Sequence, residues 1–154
     1  RDNMPEQPSL FNILRNDSWA ATTIAAVVFM AIITMIVQIA NWVTGMELSN
    51  VGNYLMITGV SFVVAAVFVP IRVKYVLDVF ENGVETKASV VSTKVHKANM
   101  KLTLKYNFSG VDDQKTLDQV ITEHTKHFLE EKEVVLVIHQ YKPDRILLRD
   151  VYFK

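Results

Sequence analysis

The chain has no cysteine in its 154 residues. Disulfides, thiolate nucleophiles and zinc–thiolate centres are therefore excluded together, and the redox compartment is left open. Charge is missing from one long region: between Ser18 and Ile71 the only charged side chain is Glu47. A soluble fold needs wet faces on its helices and strands, so a stretch of this length points to a bilayer as its solvent. Glycine is sparse downstream, where Gly110 stands alone between Val84 and Lys154. Backbone loops that cradle phosphate are not available there, and no Ser-His-Asp arrangement or HExxH-type run is present. Net charge is zero, and no nucleic-acid-binding signature accompanies it, so nucleic acid is not an expected partner.

What is present divides sharply. The run WAATTIAAVVFMAIITMIVQIANWV, Trp19 to Val43, would cover roughly 37 Å as a helix at 1.5 Å per residue, enough for a ~30 Å hydrocarbon core with some tilt. Asp17 and Ser18 offer an N-cap, and Trp19 and Trp42 stand where an aromatic belt would place them. The run is too long for a signal-peptide core and lacks an A-x-A-like end, so it is read as retained. A second span begins near Asn53-Tyr54 and reaches Ile71. The short connection TGMELSNVGN joins only antiparallel neighbours, which predicts a transmembrane helical hairpin. Lys and Arg flank the outer ends of both spans (Arg1, Arg15, Arg72, Lys74) and are absent from the turn, so both termini are expected on the cytoplasmic side. Past Pro70 a helical apolar pattern continues to a stop at Asn82-Gly83.

Residues 72–154 hold fourteen Lys or Arg and twelve Asp or Glu, and after Gly83 the period becomes two. MKLTLKYNFS places Met100, Leu102, Leu104, Tyr106 and Phe108 on one face. TKASVVSTKVH, KTLDQVIT, EVVLVIHQY and ILLRDVYF supply four more predicted strands. GVDDQ is read as a turn, EHTKHFLEEK as a short helix or charged loop, and EVVLVIHQY as the most central strand. The predicted organisation is an N-terminal cytoplasmic segment (1–17), a transmembrane hairpin with a cytoplasmic helical extension (18–82), and a small all-β domain (83–154) with one short helix. Its expected form is an OB-like or SH3-like barrel or sandwich.

NGVETKASVV, LKYNFSG and VVLVIHQYKPDR together resemble a widespread bacterial two-span membrane-protein family of unknown function. That family carries a glycine, an Ala-x-Val strand, a Tyr-x-Phe or Tyr-x-Tyr strand ending at glycine, and a late strand reaching Tyr-Asp-Pro. The likeness covers roughly Gly83 to Leu148; Lys142 departs from the usual Asp. It implies the architecture and an integral location in a bacterial inner membrane, and lends no activity.

Thr34, Gln38 and Asn41 fall at i, i+4 and i+7 on the first span. They form a stripe for hydrogen bonds to the second helix, toward Thr58 or Asn53, or to a helix of another protein. Arg72, Lys74, Lys97, Lys101 and Lys105 are candidate contacts to anionic lipid, with a solvated strand face as the competing reading of the last three. His124 and His127, with Glu123, Glu130 and Glu131, form a ligand-like group whose simpler reading is a solvated helix face. His139 is read as a hydrogen-bonded core or edge residue. No catalytic residue, resident metal or cofactor is assigned. The expected function is a non-catalytic accessory or scaffolding subunit whose partners are membrane lipid and another membrane protein or a second copy. The alternative is a lipid- or small-ligand-sensing membrane module.

Overall fold

The computed structural model describes residues 6–45, 51–123 and 125–153. Arg1, Glu47, His124 and most of the turn between the spans lie outside them. The described chain forms two units, one of residues 19–72 and one built from residues up to 18 together with 73–153.

In the first unit, helix α2 (Ser18–Thr44) and the start of helix α3 (Val51–Glu81) are both long and apolar enough to cross a membrane. Their large apolar side chains point outward: Phe29, Ile36, Phe62 and Val63 are all more than half exposed. In water that surface would be strongly unfavourable, whereas hydrocarbon solvates it. Among the described residues of this unit Thr34 is the buried polar one, and its hydroxyl lies 2.6 Å from that of Thr58. Thr23, Thr44 and Ser61 return their hydroxyl protons to carbonyls four residues earlier, which satisfies them within the helix. Pro70 lies inside α3 without ending it.

The second unit is a curled antiparallel five-stranded sheet, a half-barrel in the order β3-β2-β1-β4-β5. Its strands are β1 (Gly83–His96), β2 (Asn99–Phe108), β3 (Val111–Val120), β4 (Glu133–His139) and β5 (Ile146–Leu148). β1 is the middle strand, in place of the expected β4, because its fourteen residues serve two partners. Gly83–Ser89 pair with β4, and Ala88–His96 pair with β2. A bulge between Val90 and Ser92 bends it between these tasks. Outer strands β3 and β5 do not pair with each other, so the sheet is open, but Lys115 of β3 donates to the Asp144 carbonyl just before β5.

Met100, Leu102, Leu104 and Tyr106 of β2 are buried, as their alternation predicts. They pack with Leu136, Ile138 and Leu148 and with Val76, Val79 and Phe80 from the last turns of α3. Helix α1 (Leu10–Asn16), capped by the Ser9 side chain on the Asn12 amide, adds Ile13 to the same core. The segment expected to be a separate flank thus belongs to the folded β unit.

Three local expectations differ from the structure. Asp112 and Asp113 are in strand β3, because Ser109-Gly110 make a two-residue turn with φ of 52° and 82°. The segment after β3 is a single 3-10 turn, Lys126–Leu129, held by the buried Phe128. The final strand stops at Leu148. Arg149–Val151 form another 3-10 turn so that Tyr152 and Phe153 meet Phe80 edge-on, each at 5.5 Å between ring centres.

Candidate functional site

Two regions collect the polar side chains singled out in the sequence. The first lies on α2 and α3. Thr34 Oγ1 contacts Thr58 Oγ1 and reaches the Tyr54 carbonyl at 3.5 Å, while Thr58 Oγ1 reaches the Met30 carbonyl at 3.4 Å. One member of the stripe therefore joins the two helices. Gln38, a turn further along, is exposed and lines an open groove with Ala31, Met35, Ile39, Trp42, Thr34 and Thr58. It lies six residues from the end of α2, about 9 Å, so a bilayer around this helix would hold its amide at hydrocarbon depth. Asn41 is half-buried and has a partner of its own.

The second region is the outer face of the sheet. Lys101 and Lys105 alternate outward from β2, and β3 supplies a carboxylate to each: Asp118, directly opposite Lys101, is 3.6 Å from its Nζ, and Asp112, diagonal to Lys105, is 3.8 Å from its Nζ. These two charges are balanced locally, which favours a solvated face with charge-protected pairing over a uniformly basic surface. Lys97 occupies the left-handed position of the β1–β2 turn, φ 54°. Lys74 is exposed on α3 just past the apolar span, and Arg72 beside it is half-buried.

A polar cluster that sequence reasoning did not assemble fixes the end of α3 to the sheet. Arg145 donates to Asp78 Oδ2 at 2.8 Å, and its guanidinium lies over the Tyr75 ring. His139 is buried, with Nε2 3.4 Å from the same oxygen, while Nδ1 accepts from the Tyr141 amide. The Tyr141 bond assigns the lone pair to Nδ1 and the proton to Nε2. Asn82 donates to Asp78 Oδ1, and its carbonyl accepts from Gln140. Asp78 and Asn82 share a helix face, the β1–β4 register sets His139 beside the start of β1, and the turn after β4 returns Arg145 to His139.

Tyr152, which packs on Phe80 of α3, donates to Asp17 Oδ2 at 2.8 Å with both residues buried, and the Asn12 amide donates to the Tyr152 carbonyl. On the sheet, Tyr106 donates to Asp113. Burial, then that hydrogen bond and the Asp113 charge, hold the Tyr106 hydroxyl above the usual tyrosine range. Comparison with protein-family models, curated proteins and solved structures finds no match.

Proposed function

We propose that this chain is a membrane-anchored accessory or scaffolding subunit, non-catalytic, that places a small β domain at the cytoplasmic face and engages another membrane protein through α2. The observation that carries this reading is the open groove around Gln38. A primary amide facing outward among Met35, Ile39 and Trp42 would lack a hydrogen-bond partner in lipid. A helix from another protein would supply one, at about 0.6–2 kcal/mol per bond.

The anchoring is supported by how the β unit is assembled. It takes residues from before α2 (Ile13, Asp17) and from the end of α3 (Val76, Val79, Phe80). If both helices cross the bilayer, this assembly requires an even number of crossings, with both outer ends on the domain's side. Cleavage of α2 as a leader would also strip Ile13 and Asp17 from a closed core. Arg72 and Lys74 then lie at headgroup level, where each basic residue near an anionic surface is worth about 1 kcal/mol.

The test is purification of the full chain in mild detergent with a photo-crosslinking residue in place of Trp42. A single membrane-protein adduct, reduced severalfold by Gln38→Leu while the β domain melts unchanged, is the expected result. Absence of any protein adduct, or one indifferent to Gln38, would refute the reading.

A further inference from the structure

His127 and Asp150 lie 23 positions apart, yet the fold brings their side chains together with Glu131. His127 Nε2 is 3.8 Å from Glu131 Oε1, and one ligand atom from each of the three residues lies within 4.8 Å of the others. We propose that His127, Glu131 and Asp150 bind a divalent transition-metal cation of the zinc class, which clips the turn after β3 to the C-terminal turn.

Three features carry this. The first is spacing. Four ligands at 2.0–2.1 Å in a tetrahedron sit about 3.4 Å from one another. The 3.8 Å pair is near that value, the other separations are no more than 4.8 Å, and water would supply the fourth position. The second is anchoring. His127 precedes Phe128 and Asp150 precedes Val151, both of which are 1% exposed core residues. The His127 ring also rests against Phe128, with centroids 4.0 Å apart. Thr125 holds the start of the same turn through its bonds to Val120 and Thr122. The backbones bearing His127 and Asp150 are thus fixed by the core, while the three side chains themselves stay half-exposed.

The third feature is charge. Two carboxylates and one imidazole converge, and Arg149 is a cation beside them. Its main partner is Glu85, at 2.6 Å, and it stands 3.7 Å from Asp150 Oδ1. A divalent ion would offset both carboxylates at once. One imidazole with two carboxylates selects the zinc and manganese class over calcium or magnesium, which take all-oxygen shells.

The experiment uses the full chain in detergent, tag removed and stripped with chelator, titrated calorimetrically with ZnCl2. One saturable equivalent is expected, together with a raised Tm. Loss of an outer-shell partner typically costs 10–100-fold in metal affinity, so loss of a direct ligand in Asp150→Asn or His127→Ala should weaken Kd by at least about tenfold. His96→Ala, at the exposed end of β1, should bind as the parent does. If His127→Ala does not fold, Asp150→Asn and Glu131→Gln, which keep side-chain shape, decide the matter. Absence of saturable binding, or binding unchanged in these isosteric variants, would overturn the proposal.

Discussion

Replacing Gly83 by alanine tests the join between the last turn of α3 and the sheet. Only Asn82 separates the helix from β1, so the chain reverses where Gly83 passes against both Val79 and β4. A β-carbon there would fall well inside contact distance of the Val79 carbonyl oxygen and 2.5 Å from Val137 Cγ1, with the Ile138 carbonyl at 3.3 Å. Val137 is fully buried and β-branched, so it has little freedom to turn aside. The Val79 oxygen belongs to helix backbone and cannot rotate away at all. Overpacking of this kind costs about 1–3 kcal/mol, and an unyielding backbone contact belongs at the upper end. Alanine returns about 0.4–1 kcal/mol by restricting the unfolded chain. The net loss is about 2 kcal/mol, or roughly 8–16 °C in Tm for a domain of this size. Four of the five tyrosines (75, 106, 141 and 152) lie in the β unit, so its melting can be followed in detergent by near-ultraviolet circular dichroism. Gly59→Ala is the comparator, because a β-carbon there meets nothing within 4 Å. If Gly83→Ala melts with the parent, the described packing of α3 on the sheet is wrong.

Two further outcomes follow from the same packing. Ile13→Ala should destabilise the β unit by about 2–5 kcal/mol, the usual range for a fully buried isoleucine. Tyr152→Phe should cost about 1–3 kcal/mol by removing a donor from the buried Asp17 carboxylate; a null effect of both in thermal melts would place the N-terminal segment outside the domain. Because Tyr106 has a folded pKa above its unfolded one, the folded state holds its proton longer. Its stabilising contribution is therefore complete below the ordinary tyrosine range and is lost as pH rises through the folded value. Tyrosinate absorbance should register this late titration, and Asp113→Asn should lower it only in part, since burial is the larger cause.

The apolar runs of the two spans and the alternation of β2 are strong periodic signals, and they mark the corresponding elements to within a residue or two. The helical continuation past Pro70 was legible as well, from spacing and the Asn82-Gly83 stop. Residues 10–16 were not, because one short helix has too little periodicity to show that Ile13 belongs to a core made 60 to 140 residues later. The doublet Asp112-Asp113 resembles turn chemistry until the preceding Ser109-Gly110 turn fixes the register and puts both in a strand. VYF at 151–153 has strand composition, yet its aromatics gain more by folding back onto Phe80. In the candidate site, the Thr34–Gln38–Asn41 stripe could be read from helical spacing. The Asp78–His139–Arg145 cluster and the meeting of Asp150 with His127 depend on strand order, which no local pattern encodes.

The central claim is that α2 and α3 cross a bilayer as a hairpin, with the β unit on the cytoplasmic side. A chain without cysteine allows a clean measurement: single cysteines at Gln7, Thr44 and Ser109, labelled in intact bacterial cells with a membrane-impermeant maleimide. The account predicts that Thr44→Cys is labelled from outside, while Gln7→Cys and Ser109→Cys are protected until the membrane is permeabilised. Equal labelling of all three, or Gln7→Cys and Ser109→Cys reacting from opposite sides, would contradict it.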